Sequence, residues 1–464
     1  MNIIFLISVV LKGFGALLEI LLQITITKTA GLSGYGIYTT WINFADLIFW
    51  CLFSGIVKSN TFYLSGKHAT LKHFKIQYYT KYVLPVIIGM LLISGLTGQK
   101  AFAVVPVIAL AEVLVLDRSS SMLTEGKYLR SLTGEYVIGR LFLLAAVLIF
   151  QKAGILTQNV LILLYLVQYL LILVFFAGRR AGRERVDVSG ELSLWKLGQY
   201  QRSDIMQAMI GQMPVILQYL FVGSFEAGVV GVVLLVKKLI NFISGPTAKI
   251  FLPEFSRLYH VGRKDEIRNC FASIMRIQMM FAGPLAVVLL GYPGVILKIM
   301  AEELSGYTTL FMLCSAAFLI AATLGPCGGL MQMTGSERMD NRCREAAILV
   351  MLAVFMLLHK NPLFALYGLC IQTLLESSGK YIFVCRWMEK APVRLKEYIA
   401  WWAVPAIAVA LTYLLNWQNS FKMMVCLAGL DFLIQFLWEL KHEDGLKQFF
   451  GRRKDSGKSG YGRV

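Results

Sequence analysis

Apolar stretches of about 17 to 25 residues alternate with short polar gaps from Ile3 to Trp438, and each is long enough to cross a hydrocarbon core of ~30 Å as a helix. Cutting at the gaps predicts spans at 3–27, 37–57, 82–98, 101–116, 136–151, 158–178, 204–222, 228–248, 273–291, 307–329, 345–359, 364–384, 399–415 and 421–438. The expected fold class is all-α and integral to the membrane, with about fourteen transmembrane helices and no soluble domain between them. The first segment is too long for a signal-peptide core and carries Lys12 and Glu19 inside it, so it reads as a retained helix.

The chain also echoes itself. An offset of 195 places Ser8 on Ser203, Gln23 on Gln218 and Gly36 on Gly231, and sets Gly34-Tyr-Gly-Ile-Tyr38 beside Val229-Val-Gly-Val-Val233. Each segment is followed by one helix and a basic loop, with Tyr63-Leu-Ser-Gly-Lys67 in the first copy and Tyr259-His-Val-Gly-Arg263 in the second. Six helices separate the copies, so both halves keep one orientation, as in parallel repeats about an axis along the membrane normal. The expected domains are an N-terminal lobe at 1–202, a C-terminal lobe at 203–398, two further helices at 399–438 and a basic cytoplasmic tail at 439–464.

Composition agrees: 57% of the 464 residues are hydrophobic and 16% charged, and the mean hydropathy of +0.65 exceeds that of soluble domains. Charge sets the orientation. With the N-terminus cytoplasmic, inward loops hold 34 of the 45 Lys and Arg and outward loops only six, Lys28, Lys100, Lys152, Lys298, Lys360 and Lys422. The positive-inside rule then puts both termini in the cytoplasm of a bacterial inner-membrane protein. The net charge of +18 needs no nucleic acid, because a basic inner surface faces anionic lipid.

Several motifs carry no chemistry. The eight cysteines, at 51, 270, 314, 327, 343, 370, 385 and 426, form no C-x-x-C pair and read as small packing residues rather than disulfides or metal ligands. The five histidines form no ligand spacing, so no metal and no cofactor are expected beyond a coupling Na⁺ or H⁺. In the tail, Gly451 to Ser459 imitates a phosphate loop but has five residues between its glycines and no preceding strand.

Ten charged residues fall within spans: Lys12, Glu19, Asp46, Glu112, Arg140, Lys237, Lys238, Glu376, Lys380 and Asp431. At ~3 kcal/mol each, lipid exposure of all ten would cost on the order of 30 kcal/mol, so most must face protein or water. Ser8, Lys12, Gly15, Glu19, Gln23 and Thr27 step by three or four and form one polar stripe on the first span. Asp204, Gln207, Gly211, Pro214 and Gln218 do the same on the seventh. The second span adds Asn43, Asp46 and Trp50, and the eighth adds Lys237 or Lys238 with Asn241 and Ser244. The four most polar faces thus belong to the first two helices of each repeat, as a central cavity between two lobes requires. Glu376 and Lys380, with Gln372 one turn before, read as an intrahelical ion pair. Glu112 and Arg140 read as partners on neighbouring helices, and Asp431 with Gln435 as an anchor of the last span. Pro214, Gly245-Pro246 and Gly325-Pro326 each free a backbone carbonyl and permit a bend.

With Lys12-Gly13 on a long first helix, the segment Gly31-Leu-Ser-Gly-Tyr-Gly-Ile-Tyr38, its echo at Gly223–Val233, and Phe251-Leu-Pro-Glu-Phe-Ser256 ending the eighth helix, the chain resembles the polysaccharide-flippase branch of the multidrug/oligosaccharidyl-lipid/polysaccharide (MOP) exporter superfamily. The likeness runs over essentially the whole chain, on diffuse motifs. It implies two six-helix lobes in a MATE-like V, and export of an undecaprenyl-diphosphate-linked oligosaccharide by alternating access, coupled to a cation gradient. The implied partners are that lipid-linked substrate, membrane lipids and polysaccharide polymerase machinery, and no enzymatic activity is implied. Lys12, Arg140 and Lys237 or Lys238 would meet the diphosphate; Glu19, Gln23, Asn43, Asp46, Gln207, Gln218 and Asn241 would line the cavity. Glu19 and Asp46 are either ion-coupling acids or counter-charges to the lysines. Val233 stands where the first copy has Tyr38, and no dense arginine cluster marks spans 1, 2, 7 and 8, which argues against a peptidoglycan precursor as cargo. A drug exporter would want an acidic, aromatic cavity. A polymerase would want a chemically equipped outward loop, and the longest, 292–306, offers only Lys298, Glu302 and Glu303.

Overall fold

The computed structural model describes residues 3–64, 69–97, 100–125, 127–177, 186–187 and 194–441. Outside the described residues lie Gly451 to Ser459 with most of the basic tail, part of Tyr63–Lys67, and the side chains of Ser8, Ser203, Ser244, Pro246 and Phe251 to Glu254.

Each expected span is helical over most of its described residues, the one at 307–329 being interrupted between Thr323 and Cys327. The chain runs through α1 (Ile3–Ile48), α2 (Ser54–Leu64), α3 (Lys72–Tyr78), α4 (Leu84–Thr97), α5 (Lys100–Thr124) and α6 (Tyr128–Thr133). It continues through α7 (Gly139–Lys152), α8 (Gln158–Phe176), α9 (Leu194–Phe221), α10 (Ser224–His260), α11 (Lys264–Ala286) and α12 (Pro293–Met300). It closes with α13 (Thr308–Thr323), α14 (Cys327–Met333), α15 (Glu337–Leu358), α16 (Phe364–Trp387), α17 (Leu395–Leu414) and α18 (Phe421–Lys441). Single π-helical turns at Phe49–Phe53, Tyr79–Val83 and Gly134–Ile138 join α1 to α2, α3 to α4 and α6 to α7. The only extended pairing among the described residues is a two-residue parallel bridge, Ala69–Thr70 with Val186–Asp187.

Among the described residues, eight helical segments are long and apolar enough to cross a membrane, and one of them, Val10–Val57, is 48 residues long. Helices α5, α9, α10, α15 and α16 are not among them; they are the helices that hold Glu112, Asp204, Lys237, Lys238, Arg344, Glu376 and Lys380. Of these charges Glu112, Asp204, Arg344 and Lys380 are buried, whereas Lys238 is exposed. The fold is an all-helical integral membrane fold.

The expected loop between the first two spans is itself helical. The chain breaks only at Gly31, where φ is 70°, and then resumes helical geometry to Ile48. That left-handed φ suits glycine. The residues after it bury Leu32, Tyr35 and Tyr38, and the hydroxyls of Thr39 and Thr40 bond back to carbonyls of their own helix. The expected bend at Gly325-Pro326 is instead a full break: α13 ends at Thr323, Gly325 takes φ 84°, and α14 restarts after Pro326.

The chain packs as two compact units, Met1–Leu235 with Leu352–Leu369, and Val236–Met351 with Cys370–Val464. In the first, α1 packs against α5, α7 and α9, around Trp41, Ala45, Ile108 and Ile162. In the second, α11 packs against α13, α17 and α18, over Phe255, Phe271, Met275 and Trp401.

The two echoed segments meet inside the first unit. A Cβ on Gly36 would lie 1.8 Å from the carbonyl oxygen of Ser224, and one on Gly228 would lie 2.3 Å from that of Leu32. Small residues let these two backbones touch, as at close helix crossings in membranes. Gly36→Ala would force them apart and should cost about 3 kcal/mol or more. We expect the variant's detergent-solubilised unfolding midpoint to drop well below that of Gly89→Ala, where an added Cβ meets open space; equal midpoints would contradict this packing.

Candidate functional site

In the first unit the polar stripe of α1 faces the π-turn at Gly134–Ile138 and the start of α7. Close approach is set at Gly15, where a Cβ would lie 2.6 Å from the carbonyl oxygen of Tyr136. That contact brings Glu19 to Arg140: the guanidinium Nε donates to Glu19 Oε2 at 2.9 Å, and Nη1 donates to the carbonyl of Glu135 at 2.9 Å. Gln23 Nε2 donates to Glu19 Oε1 at 2.7 Å, and the Tyr35 hydroxyl donates to Gln23 Oε1. Lys12 Nζ and the Arg140 guanidinium lie 5.5 and 5.7 Å from the centre of the Tyr136 ring. The line Tyr35, Gln23, Glu19, Arg140 is therefore a hydrogen-bonded chain in which the Arg140 charge is matched.

The expected Glu112–Arg140 pair is not formed. Arg140 is paired with Glu19 instead, while the buried Glu112 lies within electrostatic reach of Asp46. Gln212 Nε2 lies 3.5 Å from Asp46 Oδ2. Tyr165 and Tyr169, whose hydroxyls are 3.3 Å apart, stand within electrostatic reach of both acids.

In the second unit Lys237 of α10 reaches between α13 and α16. Its Nζ donates to Thr373 Oγ1 at 3.1 Å and lies 5.2 Å from the centre of the Phe318 ring. Among the described residues no carboxylate is within ion-pair distance of it. Glu376 acts on it at longer range but is already bonded to Lys380 at 2.6 Å and to Arg344 at 3.2 Å. Asp340 closes this second network, 2.7 Å from Lys380 and 3.7 Å from Arg344. Gln332 and Gln372 donate to Asp340 and Glu376. The Glu376–Lys380 pair expected on one helix is thus present, extended by Asp340 and Arg344 from α15.

The remaining sites are scattered. Lys238, Gln207 and Asn241 are exposed. Asn43 Nδ2 donates to the Thr39 carbonyl of its own helix. Gln218 is fully buried, bonding the Pro362 carbonyl and the Ala365 amide. Asp431 is buried beside Gly283. The sequence pattern does not single out Gln212, Asp340 or Arg344, the first because it stands off the α9 stripe and the others because they fall in a polar gap between spans.

No family model and no curated protein matches the chain. Solved structures do match in fold. A lipid II flippase, MurJ, in an inward closed conformation aligns with TM-score 0.68 at 11% identity, over 95% of this chain and 99% of that one. A MATE transporter in a bent conformation aligns with TM-score 0.54 at 13% identity, over 84% of this chain and 94% of that one. A MOP superfamily transporter from Pyrococcus furiosus, described as having a binding pocket of reverse polarity, aligns with TM-score 0.56 at 11% identity, over 82% of this chain and 95% of that one. The fold of these proteins covers 82% to 95% of the chain.

Removing one member of a buried ion network strands the others, typically at about 3 to 5 kcal/mol. Lys380→Met should therefore lower the unfolding midpoint far more than Lys238→Met, and a smaller or equal fall would show the network to be dispensable.

Proposed function

We propose that the protein is a flippase that moves undecaprenyl-diphosphate-linked oligosaccharide units from the cytoplasmic to the outer leaflet of a bacterial inner membrane, for capsule, exopolysaccharide or O-antigen assembly. Both termini are cytoplasmic, and lobes 1–202 and 203–398 alternate access. The observation that carries this reading is Lys237: a cation set among membrane helices with a hydroxyl and an aromatic face as neighbours, and its nearest acid committed elsewhere. A diphosphate crossing a low-dielectric region needs such a charge. Lys12 adds a second cation in the other unit, whereas Arg140 is already matched by Glu19.

The neighbouring acids Asp46 and Glu112 are the coupling element of this reading, for H⁺ or Na⁺. Glu19 serves as the counter-charge of Arg140. The same acidic pair, with Tyr165 and Tyr169 beside it, supports a second reading, an antiporter of organic cations. The outward segment around Glu302 and Glu303 supports no polymerase: both acids are exposed in the first turn of a six-residue 3₁₀ helix.

Mass spectrometry of lipid-linked glycans in a deletion strain, with an impermeant glycosidase reporting their orientation, separates these readings. A complete unit shielded inside is expected; normal lipids with altered drug tolerance would instead establish the antiporter. Lys12→Ala combined with Lys237→Ala and Lys238→Ala should abolish surface polysaccharide with the protein still in the membrane. Unchanged polymer from that triple variant would remove the cationic path.

A further inference from the structure

Two cysteines that the sequence leaves 56 residues apart come together beside Lys237: Cys370 Sγ of α16 lies 3.1 Å from Cys314 Sγ of α13. Both thiols are buried. They are one turn from the two groups that hold the lysine, Cys314 four residues before Phe318 and Cys370 three before Thr373. Lys237 lies within electrostatic reach of both sulfurs. An adjacent ammonium stabilises a thiolate as it forms, and a second thiol in contact can resolve the first.

We propose that Cys314 and Cys370 are a redox-active dithiol that closes to a disulfide, stapling α13 to α16 across the Lys237 site. The oxidant is a low-molecular-weight disulfide. The Cys370 thiolate attacks one of its sulfurs and expels a thiol; Cys314 then displaces the second half from the mixed disulfide as another thiol. Two protein thiols become one disulfide, and the reagent's disulfide becomes two thiols. The thiols lie six residues into their helices, Cys314 from Thr308 and Cys370 from Phe364, at the ends the proposed topology places outside. The bond can therefore form when that side opens. Because α13 and α16 carry the two groups that position Lys237, the staple fixes that site. Its effect on transport rests on the flippase reading, while the bond itself does not.

The test uses the full-length chain in its own membranes, with Cys51, Cys270, Cys327, Cys343, Cys385 and Cys426 changed to Ser. Membranes are treated with oxidised glutathione, quenched, unfolded in detergent and labelled with a mass-tagging maleimide. Two tags should fall to none after oxidation and return with dithiothreitol, whereas Cys314→Ser or Cys370→Ser should keep its single tag or carry one glutathione. Two tags persisting after oxidation would overturn the proposal. Should the six-fold variant fail to fold, mass spectrometry of the linked peptides from the unsubstituted chain decides the same question: a Cys314–Cys370 cross-link is expected, and its absence would overturn the proposal. Outward glycan in oxidised membranes should drop to the level of Lys237→Ala and be unaffected by oxidation in the Cys314→Ala, Cys370→Ala variant. A disulfide that forms with undiminished outward glycan would overturn the staple's control of the site. No outward glycan even in reduced membranes would count against the flippase reading, with the tag count still deciding the dithiol.

Discussion

Most of this architecture follows from one constraint: an ionised side chain within a bilayer must be met by protein. The Glu19–Arg140 pair and the Asp340–Arg344–Glu376–Lys380 ring meet it in different ways. The first ties α1 to α7 with a single bond reinforced by a glutamine and a tyrosine. The second alternates sign, so each carboxylate touches two cations and each cation two carboxylates. Replacing a buried pair with hydrophobic residues is often neutral, so such networks are better understood as fixing helix register than as sources of stability.

Helix existence is legible in the sequence because lipid imposes it: fourteen apolar segments separated by polar gaps have one way to satisfy their backbones. The polar stripe on α1 is legible too, since spacing of three and four leaves one face for Lys12, Gly15, Glu19 and Gln23. Pairing is less so. Periodicity says which residues share a face and is silent on which face meets it, so the pattern points Arg140 to Glu112 when Glu19 stands opposite. The gap before Tyr38 looks like a loop because it is rich in glycine, yet there glycine serves close packing against Ser224 and Gly228 as much as a turn.

Gln218 shows the same limit from the other side. Its place on a polar stripe suggests a lining role, but its side chain spends both ends on the backbone at Pro362 and Ala365, holding the entrance of α16. A polar residue in a span is a demand for a partner before it is an offer to a substrate, and sequence alone does not distinguish the two. Lys237 differs because its donors outnumber the acceptors around it.

That difference bears on what the protein can carry. A cation locked in a ring such as Lys380's has its field cancelled within a few ångströms, and at an effective dielectric of about 20 a charge 4 Å away contributes ~4 kcal/mol of either sign. A passing anion would gain almost nothing there. At Lys237 the aromatic face and the hydroxyl leave the positive field largely intact, and its nearest acid, Glu376, is shared with two stronger partners. Under the proposed flippase reading, selectivity for an anionic headgroup would therefore arise from where neutralisation is withheld rather than from the number of cations.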